Sequence, residues 1–263
     1  MITLLSDFGY RDAYVAIMKG VITKIAGDVS ICDLSHALPP QDILAARFNL
    51  MMAYAHFPAD TVHLAVVDPG VGSARRAIAL HCPSGFFIGP DNGLFSGVLQ
   101  QEAVLAAVTL NNSDYWRSPQ PSHTFHGRDI FAPAAAHLAK GVPIEALGDR
   151  LDPNTLTQVE LPFTCSANQC TGCLQYIDRF GNLISNIPAS VVPDHPWQVA
   201  LKTSTRSSTF TSVATYSDMP AGGLAALIGS HGWVEIACRE GSAARSLNGA
   251  VRDQVVLSST QFQ

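Results

Sequence analysis

The run Val66-Val67-Asp68-Pro69-Gly70-Val71-Gly72-Ser73-Ala74-Arg75-Arg76 decides how the first half of this chain is read. It closes an apolar stretch, Thr61 to Val67, with an acid. Pro69, Gly70 and Gly72 then force an irregular turn, because proline cannot continue a sheet ladder and glycine reaches backbone shapes closed to other residues. Two arginines follow. The pattern places one carboxylate at the carboxyl end of a buried strand, the edge where ligands sit in open α/β sheets. Taken alone, the same acid equally suits an ordinary strand-capping role.

Working outward, strand and helix signals alternate. Ile2 to Leu5 reads as a strand, and Tyr14, Ile17, Met18, Val21, Ile22 and Ile25 recur at helical spacing. Val29 to Leu34 is a second strand, and Pro40 with Asp42 opens a helix from Ile43 to about Tyr54. Strands are predicted at Thr61–Val67, Ala77–Cys82, Phe86–Ile88 and Val104–Leu110, with a short helix at Leu94–Leu99 and an alanine-rich helix from Asp129 to Lys140. Interleaving of this kind implies a mainly parallel sheet covered on both faces. After a proline-punctuated connection, Gly141 to Pro162, short β candidates crowd together: Leu174–Ile177, Leu183–Ile187, Gln198–Lys202, Thr209–Thr215, Leu224–Ile228, Val234–Cys238 and Gln254–Leu257. One brief helix, Ser242–Leu247, interrupts them. The expected fold is therefore α/β: a Rossmann-like α/β domain over residues 1–158, then a small all-β, barrel-like domain over residues 159–263.

Composition narrows the classes. Of 263 residues, 47% are hydrophobic and 14% charged, enough apolar material for a substantial core and too little charge for disorder. A net charge of −5 without a basic run leaves no electrostatic footprint for nucleic acid. No apolar stretch reaches the roughly 18–20 residues that span a bilayer. The chain enters a strand directly, without a basic region and an apolar segment, so no signal peptide and a cytoplasmic location are expected. On that basis the six cysteines are expected as reduced thiols. Cys165, Cys170 and Cys173 form C-x4-C-x2-C, a partial zinc pattern for which His195 is a poor fourth ligand on spacing.

Four constellations carry chemistry. Ser6-Asp7-Phe8-Gly9 ends the first strand on an acid, which can accept both hydroxyls of a ribose or cap the following helix. Asp68 and Arg75 share the opening turn. Thr124-Phe125-His126-Gly127-Arg128-Asp129 places an imidazole on a tight turn before the alanine-rich helix, with Asp129 a candidate cap. Asp178-Arg179-Phe180-Gly181-Asn182 is a polar hairpin that turn geometry alone would explain. Neither G-x-G-x-x-G, a Walker A loop, G-x-S-x-G nor H-E-x-x-H is present.

Taken in order, these segments resemble the S-adenosyl-L-methionine hydroxide adenosyltransferases, hydrolase relatives of the fluorinase and chlorinase. The carriers are Ser6 to Gly9, Asp68 to Gly72 with Arg75, Gly89-Pro90-Asp91-Asn92-Gly93, Phe125 to Asp129, Phe180-Gly181-Asn182, Gly229-Ser230-His231-Gly232 and Glu235-Ile236-Ala237. Ser6 stands where the family usually has threonine. The resemblance implies an Asp-Arg-His triad, Asp68, Arg75 and His126. It implies hydrolysis of S-adenosylmethionine (SAM) at ribose C5′ to adenosine and methionine, with SAM as substrate and neither cofactor nor metal. It further implies that Asp7 holds the ribose diol, Asp178 and Ser230 the amino-acid end, and Phe180 and Asn182 the adenine, helped by backbone near Glu235. A homotrimer is implied, each site lying between the first domain of one chain and the second domain of its neighbour, with no nucleic-acid or membrane partner. A halide-using enzyme and a non-catalytic nucleoside sensor are the competing readings.

Overall fold

The computed structural model describes residues 1–166, 169–194 and 196–259, so His195 lies outside the described residues. Its chain forms two compact units, Met1–Val159 and Glu160–Gln263.

In the first unit, β1 (Ile2–Ser6), β2 (Ile31–Ser35), β3 (Thr61–Val66), β4 (Ala77–Cys82), β5 (Gly85–Pro90) and β6 (Ala106–Thr109) form one sheet in the order β2-β1-β3-β5-β4-β6. The pairs β1–β2, β1–β3 and β3–β5 are parallel, and β4 runs antiparallel to both its neighbours. α1 (Tyr14–Ile25) buries Val15, Met18 and Ile22, a stripe at helical spacing. It packs with α4 (Ala132–Ala139) over the face carrying Ile2, Leu4, Val62, Leu64 and Val66. α2 (Ile43–Ala53) starts where Asp42 accepts the Ala45 amide at 2.9 Å, and it packs with α3 (Ser96–Leu99). On the opposite face of the sheet from α1, His63 is fully buried, 2.8 Å from Thr3 Oγ1 and stacked on Phe87. The chain leaves β1 for β2 on one side and returns through α2 to β3 on the other. The carboxyl ends of β1 and β3 therefore flank a topological switch point, where loops diverge and leave a crevice.

The expected helix at Asp129–Lys140 is interrupted. Gly127–Phe131 is a π-turn, closed by the Ala132 amide on the Gly127 carbonyl, and only then does α4 begin. Asp129 is not a cap. It is fully buried, with Arg117 at 2.5 Å, Arg128 at 2.7 Å and the Ser122 amide at 2.9 Å. Those donors hold its carboxyl well below the ordinary carboxylate range against the cost of burial.

The second unit is one antiparallel sheet bent into a nearly closed barrel. Its strands are β7 (Thr164–Cys165), β8 (Gln169–Ile177), β9 (Leu183–Pro188), β10 (Trp197–Lys202), β11 (Ser207–Thr211), β12 (Leu224–Ile228), β13 (Trp233–Cys238) and β14 (Gln254–Ser259). Their order is β11-β10-β14-β8-β9-β13-β12, with β7 beside β8. A bridge between Ser212 and Ala226 draws the two ends together. α5 (Ala243–Leu247) starts at Ser242, whose hydroxyl accepts the Arg245 amide. β8 begins five residues before the stretch legible as a strand, because Gln169 to Cys173 are polar or small and carry no apolar alternation.

The expectation of six reduced thiols needs correction. Cys165 and Cys170 are register partners across the β7–β8 pair and are joined as a disulfide; among the described residues Cys32, Cys82, Cys173 and Cys238 form no disulfide. The pairing consumes two of the three sulfurs in the C-x4-C-x2-C pattern. Among the described residues, no group of three or more His, Cys, Asp or Glu side chains gathers as a metal site.

Candidate active site

The crevice beyond β1 and β3 is a cavity of about 590 Å³, within the range of small-molecule sites. Asp7, Gln41, Asp68 and His126 are among its polar groups, with Ser122, Thr124 and Arg128, and Phe8, Tyr14 and Phe125 form an aromatic wall. The three rings pack tilted or edge-on, with centroids 5.1–5.8 Å apart.

Asp7 does not cap α1, whose first turn receives no side-chain cap. Its Oδ2 accepts the backbone amide of Gln41 at 2.7 Å, a residue held at φ +65°. The loop behind it is tied from below. Ser6 Oγ lies 2.6 Å from His36 Nδ1, and the Gly9 amide donates to the His36 carbonyl at 2.7 Å.

Asp68 and Arg75 close their turn as a fork. Arg75 Nε lies 2.9 Å from Asp68 Oδ1 and Nη2 2.5 Å from Oδ2, both side chains at most 10% exposed. Nη2 also lies 2.8 Å from His126 Nδ1, and the guanidinium sits over the Phe131 ring at 5.3 Å. The structure thus joins Asp68, Arg75 and His126, separated by up to 58 positions in sequence, into one hydrogen-bonded group. Asp68 and His126 face the cavity, with Arg75 linking them from behind. Burial first, and then the Arg75 charge, hold the His126 imidazole below the ordinary histidine range. Gly72 earns its place here: at φ +79°, a Cβ would stand 2.5 Å from the His123 carbonyl oxygen, so the turn touches the loop that carries His126.

In the second unit, Asp178, Phe180, Asn182, Ser230 and Glu235 all line a cavity of about 700 Å³. Their geometry refines the sequence reading. Asp178 Oδ1 accepts the amides of Phe180 at 2.9 Å and Asn182 at 2.8 Å, while Oδ2 accepts Asn182 Nδ2 at 2.9 Å. The hairpin therefore organises itself around Asp178 and leaves Phe180 77% exposed beside the cavity. Glu235 is buried, accepting Tyr216 Oη at 2.5 Å and standing 2.8 Å from His231 Nε2.

Residues 2–148 match the SAM hydroxide adenosyltransferase N-terminal domain and residues 172–256 the C-terminal domain of the same family. This chain belongs to the SAM hydroxide adenosyltransferase family. It is 38% identical to the (R)-S-adenosyl-L-methionine hydrolase of Salinispora tropica, covering 92% of each chain. It is likewise 38% identical to the enzyme of that name from Thermus thermophilus, over 92% of this chain and 93% of that one. A solved structure of an uncharacterized conserved protein from Thermotoga maritima matches with TM-score 0.89 at 32% identity, covering 98% of this chain and all of that one.

For a SAM hydroxide adenosyltransferase, the first cavity offers a fixed carboxylate–guanidinium–imidazole group beside an aromatic wall. A guanidinium only donates hydrogen bonds, so His126 accepts at Nδ1 and carries its proton on Nε2. Sequence reasoning missed Gln41, Tyr14 and Phe125 as lining residues, and Tyr216 and Arg245 in the second cavity. Tyr14 stood in the helical stripe and Phe125 in the segment before His126, but neither position marked a cavity wall; nothing marked Gln41, whose contact is a backbone amide donating to Asp7.

Proposed function

We propose that this protein is a hydrolase converting S-adenosyl-L-methionine and water to adenosine, L-methionine and a proton. Water attacks ribose C5′, the C5′–S bond breaks, and its electron pair leaves on sulfur. The observation that carries this reading is the closed Asp68–Arg75–His126 group on the wall of a nucleoside-sized cavity. The hydrolase names of its relatives agree with it.

The chemistry suits these side chains. The leaving group is a neutral thioether, so no developing anion needs a counter-ion. What the site must provide is an oriented nucleophile in line with the C–S bond. Asp68 orients the water and accepts one of its hydrogen bonds. Arg75, always charged, favours hydroxide character in the bound water and is fixed in place by Asp68 and His126. To the extent that the bound water has hydroxide character, charge is neutralised as oxygen meets the carbon on the sulfonium, which a dry pocket favours, and the proton is released with the products. Asp7 takes the ribose hydroxyls on the oxygen left over by Gln41.

In the same reading, Asp178, Phe180, Asn182, Ser230 and Glu235 complete the site from the second domain of a neighbouring subunit in a homotrimer. The enzyme works in the cytoplasm without metal, nucleic-acid or membrane partner. No helix among the described residues is long and apolar enough to cross a membrane.

The deciding experiment incubates the protein with SAM in oxygen-18 water containing chloride and resolves products by mass spectrometry. Adenosine labelled at the 5′ oxygen, with unlabelled methionine, is expected. 5′-Chloro-5′-deoxyadenosine would assign a halide-using enzyme instead, and tight binding of SAM without product would assign a sensor.

A further inference from the structure

The motif Gly89-Pro90-Asp91-Asn92-Gly93 has no part in the chemistry above, and neither Asp91 nor Asn92 lines the cavity. Their contacts fall on the two ends of the Asp68–Arg75 turn. β5 pairs with β3 in parallel register as far as Leu64 and Ile88. Beyond that point Pro90 has no N–H to give. The Val67 carbonyl, next to Asp68, is satisfied instead by the side-chain amide of Asn92 at 2.9 Å. Asn92 is itself held, its backbone amide on the Pro90 carbonyl and its Oδ1 accepting the Leu94 amide at 3.2 Å.

The other end is fastened one residue away. The Asp91 amide donates to the Arg76 carbonyl at 3.0 Å, and Arg76 Nε donates to Asp91 Oδ2 at 2.8 Å. The Asp91 carboxylate, 4% exposed, also accepts the Thr157 amide at 2.8 Å. Residues 67 and 76, which bracket the turn, are thus anchored to two consecutive residues of one loop. That loop has no slack. A Cβ on Gly89 would collide with the Ala65 carbonyl, and one on Gly93 with the Val159 side chain.

We infer that Asp91 and Asn92 are positioning residues for the reaction: together they set the span between the Asp68 carboxylate and the Arg75 guanidinium without touching substrate. This rests on the hydrolase reading. A turn anchored at both ends holds its two functional groups at fixed separation, and small misplacement of such groups is costly in rate.

The test compares Asn92→Ala and Asp91→Asn with wild type for kcat, KM and adenosine affinity, and repeats Asn92→Ala in an Arg75→Ala background. A fall in kcat of about 10–100-fold is expected, with adenosine affinity within about twofold of wild type. In the Arg75→Ala background the second substitution adds no further loss, since both act through one group. Equal fold losses in both backgrounds, or unchanged kcat in both single variants, overturn the inference. A readout independent of turnover is the titration of the His126 ring by NMR. Releasing the guanidinium moves it up toward the ordinary histidine range in either variant; an unmoved ring also overturns the inference. Wild-type protein that yields no adenosine refutes the hydrolase reading alone, and the ring titration still decides the anchoring.

Discussion

Arg75 Nη2 stands 2.8 Å from His126 Nδ1, and only one of the two can be the donor. The guanidinium keeps its protons at any working pH, so the imidazole accepts and stays neutral. His126 then holds Arg75 in place and has no free lone pair for a water proton while that bond lasts.

His126→Asn and His126→Ala separate the two roles. Asparagine offers an acceptor oxygen to Arg75 but no base. If His126 steers the guanidinium, kcat falls about 100-fold in the alanine variant and recovers in part with asparagine. Equal, deep losses in both would assign proton transfer to the ring.

Arg75→Lys keeps the charge and loses the fork. A lysine ammonium cannot meet both Asp68 oxygens and His126 in one plane. Turnover is expected to drop about 100-fold while adenosine affinity, measured by calorimetry, stays within about twofold.

Asp7→Ala affects binding before chemistry. Hydrogen bonds to a charged group contribute about 1.5–3 kcal/mol, so adenosine affinity should weaken by about 10- to 100-fold. An unchanged dissociation constant would remove Asp7 from the ribose.

Stability depends on pH through His63. Burial pushes this ring down to about 4 from 6.5, and its Nε2 has no hydrogen-bond partner among the described residues. Below pH 6.5 the unfolded chain takes up a proton that the folded ring refuses. Stability is therefore complete above about pH 6.5 and falls as pH drops toward 4, by up to about 3 kcal/mol from this ring. His36, His126 and His137 are shifted in the same direction. Urea melts at pH 7 and pH 5 should differ less in His63→Asn than in wild type; an identical difference would exonerate the ring.

Gly72→Ala should cost about 1–2 kcal/mol from its left-handed backbone alone. It should also cut kcat, because the new methyl group pushes the His123 carbonyl away from the turn. Loss of thermal stability with full turnover would show that this contact does not govern the site.

Much of this was legible in the sequence. Proline and two glycines after Val66-Val67 fixed where β3 ends and where Asp68 stands, because turn chemistry is local. Alternating apolar runs gave the sheet of the first unit for the same reason. Other features depend on residues distant in sequence. Asp129 looked like a cap because Arg117 and the Ser122 amide, which hold it together with the adjacent Arg128, meet it only when the chain folds. Cys165 and Cys170 read as reduced thiols from the expected compartment alone; that they face each other across β7 and β8 was hidden, because neither stretch carries apolar alternation. Turn geometry was legible in the Asp178–Asn182 hairpin, but that Asp178 itself gathers the Phe180 and Asn182 amides was not, because backbone donors leave no mark in residue identity. Asp91 and Asn92 stood out as a motif, but their partners, the carbonyls of Arg76 and Val67, could not be read from residue identity.

The π-turn at Gly127–Phe131 sets the phase of everything that precedes α4. Each residue advances an α-helix by about 100°. Excising one residue there would restore regular winding and let α4 stay packed, yet it would swing His126 about a quarter-turn around the axis, away from Arg75. Shortening this segment by a single position should thus leave a folded protein with a dismantled centre, a lesion that a substitution scan would never sample.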